Sequence, residues 1–244
     1  MSNISAIFKR ELSGYFETPV AYVFIVVFLL LSGMFTFYIG GFYEAGQADL
    51  VAFFRWHPWL YLFLIPAVSM RLWAEEKKSG TIELLMTLPI KTCEAVMAKF
   101  LAAWCFITIS LLLTFPIWIT VNYLGEPDNG IIFISYIGSF LMAGAFLAIG
   151  SCMSALTRNQ VVSFVISVTV CFIFTVSGFP MVLDFFIGLG FPQAIVDTVS
   201  SFSFLTNYEE ILKGVLSMKN FVYFISLAVF WLFVNYLVID AKRV

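Results

Sequence analysis

TPVAYVFIVVFLLLSGMFTFYIGGF, residues 18–42, contains no charged side chain. The hydrocarbon core of a bilayer is roughly 30 Å thick and a helix needs about 20 apolar residues to cross it. Val20 to Phe42 is therefore long enough to span, and Thr18-Pro19 starts it as a capping side chain followed by proline at a first helical position. A secretory signal is the competing reading, but the apolar run is too long and no small-x-small cleavage site follows it; the segment is expected to be retained. The rest of the chain has the same character. Of 244 residues, 61% are hydrophobic and 11% charged, against about 25% charged in a soluble domain, and a soluble fold cannot hide that much apolar surface. The 29 Phe, ten Tyr and six Trp suit lipid-facing helices and the membrane–water boundary. The sequence predicts an all-α membrane protein of six transmembrane helices in one domain, with any water-soluble chemistry on another chain.

Toward the amino terminus, residues 4–17 read as an amphipathic helix. Ile4, Ile7, Phe8, Leu12, Tyr15 and Phe16 fall on one arc and Lys9, Arg10, Ser13 and Glu17 on the other, which predicts a helix lying on the membrane surface. Toward the carboxyl terminus, further spans are expected at about 56–72, 98–124, 131–156, 161–179 and 221–239. Pro116 removes a backbone donor inside the third and predicts a kink. The fourth carries Ser135, Ser139, Ala143, Gly144, Ala148, Gly150, Ser151 and Ser154, a small-residue pattern that lets helices approach closely. It serves either packing within the chain or a dimer or substrate-path face. Residues 180–220 are too polar and broken to cross in one helix; two short amphipathic helices are expected, within 193–204 and 207–217, dipping into the outer leaflet and returning.

Charge placement sets the orientation. With both termini inside, the inner segments hold Lys9, Arg10, Arg71, Lys77, Lys78, Lys91, Lys99, Arg158, Lys242 and Arg243, and the outer ones Arg55, Lys213 and Lys219. This asymmetry favours cytoplasmic termini. No Asp, Glu, Lys, Arg or His falls well inside the six runs, which disfavours an ion-coupled carrier or a voltage sensor. The chain has no GxxxxGK[ST], HExxH or GxSxG, so it offers no P-loop, zinc-protease or acyl-hydrolase chemistry and no energy source of its own. Cys93, Cys105, Cys152 and Cys171 show no CxxC spacing and read as packing residues. His57, in Trp56-His57-Pro58-Trp59, reads as part of an interfacial aromatic belt.

The most informative stretch is the polar one, Arg71 to Ile90. Ser79 or Thr81 can cap a short helix, Glu83 sits in its first turn where the helix dipole favours an anion, and Pro89 stops it. Ile82, Leu85 and Met86 share a face. Two readings stand: a helix docking into a groove on a cytosolic partner, or an interfacial helix lying on lipid.

Here a resemblance adds to the residues. Glu-Glu-Lys-Lys-Ser-Gly-Thr-Ile-Glu-Leu-Leu-x-Thr-Leu-Pro-Ile at 75–90 resembles the cytoplasmic signature of ABC-2-type transporter permeases. Ile-Phe-Lys-Arg-Glu-Leu-x-x-Tyr-Phe-x-x-Pro at 7–19 and Gly150-Ser-Cys-Met-Ser-Ala-Leu-Thr-Arg-Asn-Gln160 agree with it. Within that family the amino-terminal pattern and short length are most similar to the permeases associated with gliding motility and to close relatives in bacteria lacking that behaviour. The resemblance implies a multi-pass protein of the bacterial cytoplasmic (inner) membrane, working as a homodimer or with a related second permease chain. Two copies of a separate ABC ATPase subunit would bind below, and ATP and Mg would be held there and not on this chain. Residues 4–17, with Phe8, Glu11, Leu12, Phe16 and Pro19, become the interfacial elbow helix. Residues 75–90 become the coupling helix, with Glu75, Glu76, Gly80, Thr81, Ile82, Glu83, Leu85, Met86 and Pro89 as its contact residues. Residues 180–220 become re-entrant outer helices, and the gliding-motility relatives add an accessory membrane protein with an extracytoplasmic domain. Membrane lipid is a partner; nucleic acid is not.

One residue stands apart. Glu11 falls inside the apolar arc of residues 4–17, where an unpaired carboxylate is costly. It is expected either to pair with a basic residue near the second span, Arg71 being favoured, or to reach headgroup water. The functional expectation is an ATP-driven export permease; the alternatives are an anchor or force-transmitting subunit of such a complex that moves no substrate, and an uncoupled pore.

Overall fold

The longest helix is the one packed with small residues, and the others gather round it. The computed structural model describes residues 3–83, 90–214 and 217–241; among these there are helices and loops and no strand. In chain order the helices are α1 (Asn3–Glu17), α2 (Pro19–Met34, continued by a π turn over Phe35–Ile39), α3 (Val51–Arg55), α4 (His57–Ser69), α5 (Ala74–Ser79), α6 (Thr92–Leu112), α7 (Phe115–Leu124), α8 (Asn129–Leu156), α9 (Gln160–Val176), α10 (Pro180–Gly188), α11 (Gln193–Ser201), α12 (Phe204–Leu212) and α13 (Met218–Asp240). Residues 81–83 are also helical.

Asp128 starts α8 by accepting hydrogen bonds from the backbone N–H of Gly130 and Ile131, at 2.9 and 3.2 Å, which satisfies two of the free donors of a helix start. From there α8 runs through the centre against α4, α6, α9, α12 and α13. Its small residues admit these neighbours. A Cβ placed on Gly144 would lie 3.0 Å from the Trp104 ring, and one on Gly150 would lie 2.0 Å from Ser69 Oγ. Trp104 in turn stacks on Phe140 with centroids 4.2 Å apart and donates its indole N–H to the Phe140 carbonyl. Packing within the chain accounts for this part of the small-residue stripe.

Among the described residues, four segments are long and apolar enough to cross a bilayer: Pro19–Ile39, Thr92–Leu124, Asn129–Leu156 and Met218–Asp240. Gln160–Val176 with Pro180–Gly188 makes a fifth if that pair, bent by 75°, is one span. The expected second span is α4, whose 13 residues rise only about 20 Å at 1.5 Å each. It is apolar all round and mostly buried against other helices, as a core helix is. His57, at its start, is not in an interfacial belt: it is fully buried, with its ring 4.6 Å from that of Phe53 and 5.3 Å from that of Phe54.

Breaks follow proline. Pro116 stands at the start of α7, and in the break before it the Leu111 carbonyl accepts from the Thr114 backbone N–H at 3.1 Å and from the Thr114 hydroxyl at 2.6 Å. At Thr18, which is extended as a residue before proline must be, the hydroxyl does not cap α2. It donates backward to the Tyr15 carbonyl at 3.0 Å and closes α1. Residues 180–212 form three short helices where two were expected, because Pro180 opens an additional one.

Candidate functional site

The apolar arc of α1 lies on α6: Ile7 is buried, Tyr15 stacks on Phe106 at 4.9 Å, and Phe16 meets the same ring edge-on at 5.8 Å. Leu12 packs on the core, Phe8 is half-buried, and Pro19 is exposed at the α1–α2 corner. This seat brings Glu11, on α1, against α6 and fixes its partner. Glu11 Oε2 lies 3.1 Å from Lys99 Nζ and its Oε1 2.6 Å from Arg10. Lys99 Nζ is also 2.8 Å from Glu76 Oε1, and that oxygen is 3.9 Å from Arg10. Arg10, Glu11, Lys99 and Glu76 thus close a ring of two positive and two negative charges. It joins α1, α5 and α6.

The expected pairing of Glu11 with Arg71 is corrected by this geometry. Arg71 is engaged by Glu75 one turn on, Nε to Oε2 at 2.9 Å and a second guanidinium nitrogen to Oε1 at 3.3 Å. That fork-to-fork contact takes two of the five guanidinium donors and turns Arg71 toward Glu75 instead of Glu11. Lys99, expected at the edge of the third span, is buried within a helix. Helix α6 begins at Thr92, because Glu94 reaches back to accept from the Lys91 backbone N–H at 3.2 Å. Lys99 therefore sits two turns inside the helix with 2% of its surface exposed, its ammonium 5.3 Å from the centre of the Trp73 ring. A buried ammonium is tolerable only when paired, and here two carboxylates and an aromatic face surround it.

Burial tends to raise the Glu11 carboxyl, but Lys99 beside it, helped by Arg10, holds it below the ordinary 4.5. A carboxyl depressed in the folded state adds stability above its unfolded value and loses it as pH falls through the folded one. The thermal transition of the purified protein should therefore drop as pH falls below about 4.5, and Glu11→Gln should flatten that part of the profile. An unchanged acid slope in the variant would remove Glu11 from the response.

Helix α5 is held from outside. The Ser154 hydroxyl on α8 accepts from the backbone N–H of both Trp73 and Ala74 at 3.1 Å and donates to the Met70 carbonyl at 3.0 Å, doing for α5 what a capping residue normally does locally. Ser151 accepts from the Trp73 indole at 3.3 Å and from Asn235 Nδ2 at 2.8 Å, and Lys77 donates to the Ala155 carbonyl. At its other end, Ser79 donates to the Glu75 carbonyl at 3.0 Å and contacts the Thr81 hydroxyl at 2.9 Å. Gly80 then takes φ +75°, the left-handed conformation that suits glycine at a helix end. Residues 75–83 are thus two helical pieces broken at Gly80. Glu83 is exposed, and Ile82 is half-buried against the core. Leu85, Met86 and Pro89 lie outside the described residues. Lys99 and Ser154 are the residues of this site that the sequence reading did not assign to it.

The assembly so described is a membrane-embedded helical core with a charged segment pinned to its end. Across residues 5–240 the chain matches the family model described as ABC-2 family transporter protein. The chain belongs to the ABC-2 transporter family. No curated protein matches it. Members of this family are membrane components of ATP-binding-cassette systems with the ATPase on a partner, and the apolar helices of this chain fit a multi-pass membrane protein. For an ABC-2 protein, the charge ring and the Ser154 anchor lie where the polar segment 71–83 meets the bundle.

Proposed function

We propose that the chain is the permease subunit of an ATP-driven exporter, and that the segment beginning at Glu75 receives the motion of a partner ATPase. One observation carries this reading: α5 is tied by Lys99–Glu76 to α6, by the charge ring to α1 and by Ser154 to α8. A displacement of residues 75–83 would move three helices of the bundle and not a loose loop. The basic residues counted at the inner segments support a cytoplasmic position for this end and, with it, a bacterial inner-membrane protein with both termini inside. The arrangement is that of two permease chains over two ATPase copies. The 7–19 pattern extends the proposal to a gliding-motility-like complex with an accessory extracytoplasmic partner.

The test is at Gly80 and Glu83. Proline fixes φ near −65° and cannot hold the +75° of Gly80, so Gly80→Pro redirects everything after α5, while Glu83→Lys reverses an exposed charge. Each should weaken co-purification with the ATPase about tenfold, the equivalent of about 1.4 kcal/mol, and abolish substrate-stimulated ATP hydrolysis in liposomes. Retained binding and coupling in both variants would overturn the assignment. Retained binding with no stimulation by any substrate in the wild type would favour a force-transmitting anchor.

A further inference from the structure

A cavity of about 490 Å³ lies between α1, α2 and α4. Its two ends differ in chemistry. One is walled by Val23, Phe24 and Val27 of α2 and Leu64 and Ala67 of α4; the other ends among Arg10, Arg71, Glu75 and Glu76. Val20 and Val23, on its edge, are each more than half exposed, so the apolar part opens sideways on the face that a spanning α2 presents to lipid. An apolar fissure between helices in a bilayer is filled by whatever apolar chain surrounds it, and water there would find no partners.

The polar end selects the headgroup. Arg10, Arg71 and Lys99 oppose Glu11, Glu75 and Glu76, all lining the cavity, so the formal charge is balanced and a net anion gains little. Both signs are nevertheless within reach of one headgroup: the Arg10 side chain is 57% exposed and that of Glu75 48%. Among the described residues, Glu76 Oε2 is shielded and has no hydrogen-bond partner. An ionised carboxylate oxygen accepts and never donates, and a cationic N–H donor makes the strongest such bond. Quaternary ammonium groups are recognised by aromatic cages; the two rings near this end, Tyr15 and Phe106, are stacked on each other and form no cage, and the exposed groups are carboxylates. Space for the ligand is kept by Gly14, in mid-α1, where an added Cβ would meet nothing within 4 Å. No neighbour requires a glycine there, although glycine weakens a helix interior.

We propose that this cavity binds a zwitterionic phospholipid with a primary-ammonium headgroup, its acyl chain between α2 and α4, its phosphate at Arg10 and Arg71 and its ammonium at Glu75 and Glu76. The bound lipid bridges α1 to the start of α5, beside the charge ring. The inference needs only a membrane-embedded chain; ATPase co-purification, which tests the coupling role, is a separate readout.

Native mass spectrometry of the full chain in detergent, titrated with phosphatidylethanolamine, phosphatidylcholine or phosphatidylglycerol of identical acyl chains, tests it. Phosphatidylethanolamine should be retained about tenfold better than either of the others. Gly14→Leu, which fills the mouth with a better helix former, should remove that preference without lowering the thermal transition. Gly33→Leu, at another helical glycine with open space around it but outside the cavity, should leave the preference intact. Equal retention of the three lipids, strongest retention of phosphatidylglycerol, or an undiminished preference in a folded Gly14→Leu protein would each overturn the proposal.

Discussion

Lys99→Met should destabilise the protein by about 3–5 kcal/mol, the cost of removing one partner from a buried ion pair. Methionine keeps the apolar stem of the side chain, so the loss reports the charge, including the ammonium's contact with the Trp73 ring. Without the ammonium, Glu11 and Glu76 are left to Arg10 alone, which touches one at 2.6 Å and reaches the other only at 3.9 Å. Two carboxylates sharing such a site cannot both stay ionised cheaply. The loss should therefore shrink when the carboxylates are neutralised as well: Lys99→Met combined with Glu11→Gln and Glu76→Gln should recover most of the stability, since replacing a whole buried ionic set is often neutral. Lys99→Arg should fall between, because a forked guanidinium does not fit a pocket shaped to a point charge. Denaturation of the purified wild type and the three variants in detergent measures these differences. A triple variant no more stable than Lys99→Met would show that the loss is one of packing and that the ring is incidental.

That ring shows what was readable in the sequence. The long spans were legible because an uncharged run is a local property: residues 20–42 and 131–156 announce themselves by length alone. The start of α6 was not, because apolarity begins near Ala98 while the helix begins at Thr92, stabilised by a Glu94 contact that hydropathy does not register. Lys99 consequently read as a boundary charge. The signal that places it inside is the face it shares with Ala95, Ala103 and Phe106, at spacings of four and seven residues, all buried. The partner of Glu11 was illegible for another reason: it depends on how α1 sits on α6, a contact between distant stretches of chain. For α4, the apolar run suggested a span over 56–72, whereas the helix covers only His57–Ser69 and Trp56 separates a short α3 from it. The external cap from Ser154 had no local signature, since small residues on α8 serve close packing and hydrogen bonding alike.

Gly150→Ala and Gly33→Ala should have opposite signs. Glycine in a helix interior is worse than alanine by roughly 0.5–1 kcal/mol, and at Gly33 nothing lies within 4 Å of an added Cβ, so the gain should be realised. At Gly150 the new methyl would stand 2.0 Å from Ser69 Oγ and 2.8 Å from Ser69 Cβ, and α4 would have to retreat from α8. Overpacking of this kind costs about 1–3 kcal/mol. Ser69→Ala removes only the hydroxyl and should rescue in part; Ser69→Gly moves the missing side chain to the other helix and should rescue most of the loss, giving a large interaction energy between the two sites. The contact matters beyond packing because Ser154 lies one turn further along α8. If α4 moves away at Gly150, Met70 and the N–H groups of Trp73 and Ala74 move with it and leave the Ser154 hydroxyl. Hydrogen exchange at Trp73 and Ala74 should then rise in Gly150→Ala as it does in Ser154→Ala, and return in the Ser69→Gly double variant. Exchange unchanged in a destabilised Gly150→Ala protein would mean that α5 is held by its ion pairs alone.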